Sequence, residues 1–360
     1  MTKMSSEQCS GKGSKSSLAQ IGSLFCLSSL KNVFCRSSNP AERASPMLNA
    51  PIIDASPTGR VVITGGTGFI GLSLARHLAA HGYEVILISR HRPKVNGPWT
   101  HSEWDGRTVG KWARHLEGAR AVVNLAGRTV DCIKSAAHCD EILHSRVDST
   151  LVVGEALRNI EGRPPVWIQM STAHIYGDPP DAWCDEDSAL GTGLAPEVGE
   201  AWEEACKQGA CSGMRQVILR TSFVLGMTGG AFPKMRRLAR LGLGGRVGSG
   251  TQGISWIHIN DLNELITHAI VNTAMRGVYV ATAPHPVSQE KFMRELRRAI
   301  GMPFGLPVAE WVVRLGAYWF LRTDPELVLL GRYCTSRRLK DEGYSFLFPE
   351  LGDAMEDLCN

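Results

Sequence analysis

The sequence predicts an α/β protein built on a doubly wound parallel sheet with a smaller C-terminal lobe. Three observations carry this reading. From Arg60 onward, short apolar runs alternate with longer amphipathic ones, the pattern of strands joined by crossover helices. Gly65, Gly68 and Gly71 stand between the first such run and the first amphipathic segment. The length of 360 residues exceeds the usual single core of about 100–200, so a large α/β domain with an added lobe is expected.

Taken in order, strands are expected at 61–64, 85–89, 121–125, 166–171 and 216–220. The helical stretches 69–80, 140–159 and 196–209 are long enough for the right-handed return that a parallel pair requires. After about Phe223 the chain turns glycine-rich over 241–253, passes a compact WIHINDL segment and ends in helical stretches interrupted at Pro303, Pro307 and Pro325. The expected organisation is a sheet domain over 59–222, to which segments around 254–282 return, and a lobe over 223–360.

Residues 1–58 differ: they are Ser-rich and basic, with little apolar periodicity, and read as a disordered leader. A transit peptide, an ordinary tail and a start codon misassigned ahead of Met47 are all open for it, whereas export is not expected. Elsewhere, 43% hydrophobic and 21% charged residues suit an ordinary globular core. The net charge of +4 is too mild and dispersed for a nucleic-acid footprint. Ten cysteines include no Cys-x-x-Cys pair and no His-flanked spacing, so no metal centre is expected and the thiols read as reduced, in a cytoplasmic protein. The most apolar long stretch, 308–321, contains Glu310 and Arg314 and falls short of the roughly 18 residues of a membrane span.

The glycine loop carries the first functional signal. In Thr64, Gly65, Gly66, Thr67, Gly68, Phe69, Ile70 and Gly71, the first glycine of the triplet permits a tight turn. The second lets backbone approach a pyrophosphate, and the third lets helix pack on strand. A dinucleotide is therefore expected there. At the end of the second strand an NAD site normally carries an acid for the ribose hydroxyls. Here no acid lies between Glu84 and Glu103, and Ser89, Arg90 and Arg92 offer a hydroxyl and positive charge instead, which favours NADP.

With those residues in view, the chain resembles the extended short-chain dehydrogenase/reductases, in the atypical branch described as predicted sugar-nucleotide epimerases, some of them labelled cell-division-inhibitor-like. The resemblance runs from Arg60 to Leu358. It rests on ITGGTGFIG (63–71), AVVNLAG (121–127), SRVDST (145–150), STAHIYGD (171–178), EAWEEA (200–205), LRTSFVLG (219–226), the stretch 240–262 and GYSFLFPEL (343–351). It implies a Rossmann-type sheet domain binding NADP and a C-terminal lobe that binds substrate. It implies that Leu125, Ala126 and Gly127 line the cofactor path and that Ser171 is the catalytic-site hydroxyl. Phe232, Lys234 and Arg237 would contact substrate, the two cations suiting an anionic one, or else forming a solvated basic face.

One departure matters. Ordinary members carry Tyr-x-x-x-Lys, in which the ammonium lowers the phenol pKa. None of the six tyrosines here has a lysine four places on. Tyr176 is the substitute phenol and Glu203 a substitute base, although a helical glutamate more often faces solvent or caps. Asp185, Glu186 and Asp187 read as a surface loop, and Asp261 as a helix cap. The expected function is an NADP-dependent oxidoreductase or epimerase-like enzyme on a small polar metabolite such as a nucleotide sugar, with Ser171 and Tyr176 catalytic. The alternative is an NADP-binding sensor or partner-binding protein without turnover. Expected partners are the small-molecule substrate, with no nucleic acid and no membrane, and a homodimer stays open.

Overall fold

The first apolar run, RVVIT at Arg60–Thr64 (β1), becomes a central strand because both its faces are covered: Val61 and Ile63 pack on one side and Val62 on the other. The structure is a computed structural model that describes residues 59–179, 183–316 and 324–360; the expected leader over 1–58 lies outside the described residues. From β1 the chain runs through helix α1 (Phe69–Ala80) to β2 (Glu84–Ser89) and β3 (Thr100–Glu103). It then crosses back to β4 (Ala121–Asn124), helix α2 (Ala136–Arg158) and β5 (Val166–Thr172). A two-residue strand β6 (Trp183–Cys184), helix α3 (Leu194–Gln208) and β7 (Arg215–Thr221) follow.

The remaining segments are β8 (Phe223–Leu225), α4 (Phe232–Arg240), β9 (Gly253–Ile254), β10 (Trp256–His258), α5 (Ile259–Val271) and β11 (Gly277–Ala281). After these come β12 (Val287–Ser288), α6 (Gln289–Ala299), α7 (Glu310–Gly316), α8 (Glu326–Leu329), β13 (Tyr333–Cys334), α9 (Arg337–Asp341) and α10 (Leu351–Cys359). Seven strands form one sheet in the order β11-β7-β5-β4-β1-β2-β3, and every pairing in it is parallel. The order reverses between β1 and β4, which opens a crevice at the carboxyl ends of those two strands.

The five expected strands match β1, β2, β4, β5 and β7 to within a residue or two. Two sheet strands were not among them. β3 reads THSE, half exposed at the sheet edge, so it carries no apolar run to betray it. Helix α2 begins four residues before the expected 140, because Ser135 caps it by accepting the His138 N–H.

Helices α1 and α5 cover one face, with Leu74, Leu78, Leu262 and Leu265 fully buried against Val61 and Ile63. Helix α2 covers the other face with Val152, Val153 and Leu157 over Val62, Val122 and Trp167. A third core joins α4, α6 and α10 through Phe232, Phe292, Leu296 and Met355. Among the described residues no helix is long and apolar enough to cross a membrane.

Candidate functional site

Gly65 turns the chain out of β1 at φ +69°, and its N–H donates to the Ile88 carbonyl at 2.8 Å. A Cβ there would lie 2.7 Å from the Leu125–Ala126 backbone, so only glycine lets the loop nest against the end of β4. Gly71 is as tightly held: a Cβ would meet the Gly66 carbonyl oxygen at 2.6 Å. Gly68 differs. The nearest atom to its missing Cβ is the Gly65 oxygen at 3.4 Å, so the space before it is bounded by no protein side chain. Gly68 is also the N-cap of α1, with no side-chain cap and no acid in the first turn. The helix thus presents bare N–H groups and its positive end to the crevice, which fits a pyrophosphate.

The other expected loop residues divide by role. Thr64 is fully buried and donates to Asn124 Oδ1 at 2.6 Å, so it ties β1 to β4 and does not face the crevice. Asn124 in turn donates to Thr150 Oγ1 and Gln169 Oε1, each at 2.9 Å, and accepts from the Ala126 N–H. This closed network holds the three strand ends and α2 in register. Gly66 is buried, while Thr67 is half-buried. Ile70 packs on the sheet core, and the Phe69 ring lies against Gly226 and Gly229, where a Cβ would come within 2.6 Å of it. The loop is thereby locked to the segment between β8 and α4.

At the end of β2, Arg90 and Arg92 are exposed, with no ion pair among the described residues. Ser89 departs from expectation: it is buried, and its hydroxyl donates to the His91 carbonyl at 2.7 Å. That commits the proton, so the His101 Nε2–H, 2.9 Å away, is the donor to Ser89 Oγ. Burial first and the Arg92 charge second hold the His101 pKa below its ordinary value. His101 thus buttresses the strand end through Ser89 as a neutral ring. It went unread because β3 carries no strand pattern.

Leu125 is half-buried, Ala126 buried and Gly127 exposed at the end of β4. A Cβ on Gly127 would sit 3.2 Å from the Arg146 guanidinium carbon. Arg146, from the SRVDST segment, lies over the Trp202 ring at 5.0 Å and donates to the Ile142 carbonyl at 3.0 Å. No carboxylate pairs with it among the described residues, and burial lowers its pKa to about 10. A half-buried cation beside the crevice, without a counter-ion among the described residues, is an anion-binding feature for which the motif itself carries no signal.

Ser171 and Tyr176 come together, but not as an open pair. Ser171 Oγ donates to Glu203 Oε1 at 2.7 Å. Tyr176, 2% exposed, accepts from Arg220 Nη1 at 3.0 Å, with the guanidinium 5.2 Å from its ring centre. Burial pushes the phenol pKa up, against the pull of Arg220. Glu203 is not the solvated or capping residue expected of a helical glutamate. It is buried and grips Arg220 through both oxygens, because α3 lies on the sheet directly above β7. Burial alone would lower the Arg220 pKa, and the carboxylate overrides that and holds it above its ordinary value. Thr172, one residue on, is only half-buried and alternates to the opposite side of β5 from Ser171. Its oxygen accepts the His174 N–H, and its own proton has no acceptor among the described residues.

Further along, Phe232 is fully enclosed by the third core, since it opens α4 on the helix's apolar side. It is therefore not open to a ligand as expected. Lys234 and Arg237 are exposed, and Lys234 pairs with Asp131. His258, not Asp261, caps α5 by accepting the Asn260 N–H at 3.2 Å. Asp261 accepts instead from the Leu347 and Phe348 N–H groups, pinning the C-terminal segment to α5. Glu186 is likewise no mere loop acid: it accepts from the backbone N–H groups of Val280 and Arg337.

Known proteins resemble this arrangement. The profile of the NAD dependent epimerase/dehydratase family matches residues 61–281, and a domain of unknown function matches 308–358. Epimerase family protein SDR39U1 of Bos taurus is 36% identical over 304 residues, 83% of this chain and 99% of its own. The Arabidopsis thaliana homolog, named chloroplastic, is 31% identical over 93% of this chain and 96% of its own. The crystal structure of the human SDR39U1 protein (isoform 2) with NADPH superposes with a TM-score of 0.74 at 33% identity, over 83% of this chain and 99% of that one.

Proposed function

The chain belongs to the NAD-dependent epimerase/dehydratase family, and on that premise we propose that it is an NADPH-dependent oxidoreductase or epimerase-like enzyme acting on a small anionic metabolite of the nucleotide-sugar kind. One observation carries the cofactor assignment: the bare N-terminus of α1 opens on the space before Gly68, with Arg90 and Arg92 unpaired at the neighbouring strand end. The human relative crystallised with NADPH supports the same choice. NADPH bound there would supply a hydride to a carbonyl carbon, or its oxidised form would take one from a carbinol carbon.

The chain's own residues do the rest. Gly65 to Gly71 and the α1 N–H groups would hold the pyrophosphate, and Arg90 and Arg92 the 2′-phosphate. Arg146 would receive an anionic group of the substrate at the other end of the crevice. Thr172 has a free hydroxyl proton to give the reacting oxygen. Ser171, Tyr176 and Arg220, tied together through Glu203, brace the end of β5 that carries it and take no part in the proton transfer.

A second reading, an NADP-binding protein without turnover, draws on one observation. The helix that should bring Tyr-x-x-x-Lys to the crevice spends its acid, Glu203, on a buried ion pair. Calorimetry with NADPH and NADH, followed by turnover of a panel of nucleotide sugars and simple carbonyls, separates the two. Binding with turnover supports the first reading, binding with none the second, and no NADPH binding overturns both. A fluorescent fusion of residues 1–58 tests the expected cytoplasmic location against the plastid named for the Arabidopsis relative.

A further inference from the structure

The run His77-Leu-Ala-Ala-His81 places two imidazoles four residues apart, hence on one face of α1 near its C-terminal end. The same face carries Ser73, whose Oγ accepts from Asn263 Nδ2 on α5 at 2.9 Å. That bond sets the register of the two helices, and the next residue of α5, Glu264, comes to 3.9 Å from His77 Nε2. One donor atom each from His77, His81 and Glu264 lies within 4.8 Å of the other two.

We infer that His77, His81 and Glu264 form a binding site for a divalent transition-metal ion of the zinc kind, clamping α1 to α5 away from the cofactor crevice. Two further observations point to a ligand. His81 Nδ1 lies 2.8 Å from the His77 carbonyl oxygen. In the neutral ring this puts the proton on Nδ1 and leaves the Nε2 lone pair for a metal, the arrangement by which outer hydrogen bonds orient histidine ligands. His77 Nε2 is buried, with no hydrogen-bond partner among the described residues, a costly state that coordination would relieve.

Two imidazole nitrogens and one carboxylate oxygen are a donor set for Zn²⁺, with water completing a tetrahedron. Metal–ligand bonds of about 2.0–2.1 Å require the donors to close to roughly 3.4 Å apart. His81 is exposed and the Glu264 side chain 42% exposed, so both have rotamers with which to do so. His77 stands nine residues beyond Gly68, about 13 Å along the helix at 1.5 Å per residue. The ion would therefore brace the helix whose other end holds the cofactor, without entering the chemistry.

The test uses the full chain, stripped with chelator and titrated with Co²⁺ and then Zn²⁺. The expected result is one equivalent of Co²⁺ giving visible ligand-field bands without a thiolate charge-transfer band, and displacement by Zn²⁺. Zn²⁺ at about a hundredfold over Kd should raise the unfolding midpoint by roughly 5 °C. His81→Ala, at an exposed position, should keep the fold and weaken binding at least about tenfold, as should Glu264→Gln. Unchanged affinity in both variants, a thiolate band, or no shift of the midpoint would each overturn the assignment.

Discussion

Arg220 on β7 meets Glu203 on α3 through two hydrogen bonds, Nε to Oε1 at 2.8 Å and Nη2 to Oε2 at 2.9 Å, with side chains 8% and 4% exposed. The pair sits between the Ser171 hydroxyl and the Tyr176 phenol, so one ion pair fixes both. Breaking a buried pair leaves an uncompensated charge, whereas replacing both members by apolar groups does not. Glu203→Gln should cost about 3–5 kcal/mol in chemical denaturation. Glu203→Leu with Arg220→Met should recover most of that. A double variant as unstable as the single one would contradict this account.

Gly68 and Gly71 should fail differently. A Cβ fits the protein at Gly68 but fills the space assigned to the pyrophosphate, so Gly68→Ala should keep its melting temperature and bind NADPH about tenfold or more weakly. Gly71→Ala forces a Cβ onto the Gly66 carbonyl and should lose about 1–3 kcal/mol of stability. Calorimetry and thermal denaturation on the two variants would separate the effects.

The basic corner at the end of β2 should set the choice of cofactor. Removing Arg90 and Arg92 together is expected to lower NADPH affinity about tenfold or more and leave NADH affinity nearly unchanged, since a charge-assisted phosphate bond contributes about 1.5–3 kcal/mol. Equal affinity of the parent protein for NADPH and NADH would remove the basis for an NADP site.

Thr172 and Tyr176 give opposing expectations. Thr172→Val should lower turnover by about 10²-fold or more with NADPH affinity kept, because a positioned proton donor contributes that much. Tyr176→Phe strips an acceptor from buried Arg220 and should cost about 1–3 kcal/mol of stability, with turnover close to wild type. An equal loss of turnover in Tyr176→Phe would return the phenol to the reacting oxygen.

His258 should confer acid sensitivity. Burial lowers its pKa to about 4, against the pull of Asp357, from an unfolded value of about 6.5. The folded state therefore favours the neutral ring, whose Nδ1 caps α5; that stability is present above pH ~6.5 and is lost as pH falls through about 4. The size is on the order of 3 kcal/mol. Asp261, pushed up to about 6 by burial against two backbone N–H donors, acts in the opposite sense. The measurement is accordingly the difference between wild type and His258→Asn across pH 4–7. A pH-independent difference would show that His258 does not titrate on unfolding.

What the sequence by itself determined is local or periodic. Alternation of apolar runs gave five strands of the sheet, and the glycine spacing located the loop, because a tight turn and a close backbone approach admit few other residues. Basic residues in place of an acid after β2 pointed to the cofactor for the same kind of reason: one strand end presents them together. Tertiary structure decided everything that depends on partners distant in the chain. Glu203 looks like a surface residue until α3 is laid over β7 and brings it to Arg220, 17 positions on. Ser171 and Ser89 are hydroxyls at strand ends in the sequence, yet both are buried and each gives its proton to a protein acceptor, whereas Thr172 is only half-buried. Arg146 becomes a half-buried cation, without a carboxylate partner among the described residues, only where β4 ends beside α2, and Asp261 exchanges a cap for an anchor only when the C-terminal segment arrives. Whether a polar side chain is free or engaged depends on what burial brings within about 3 Å of it, and spacing along the chain does not encode that distance.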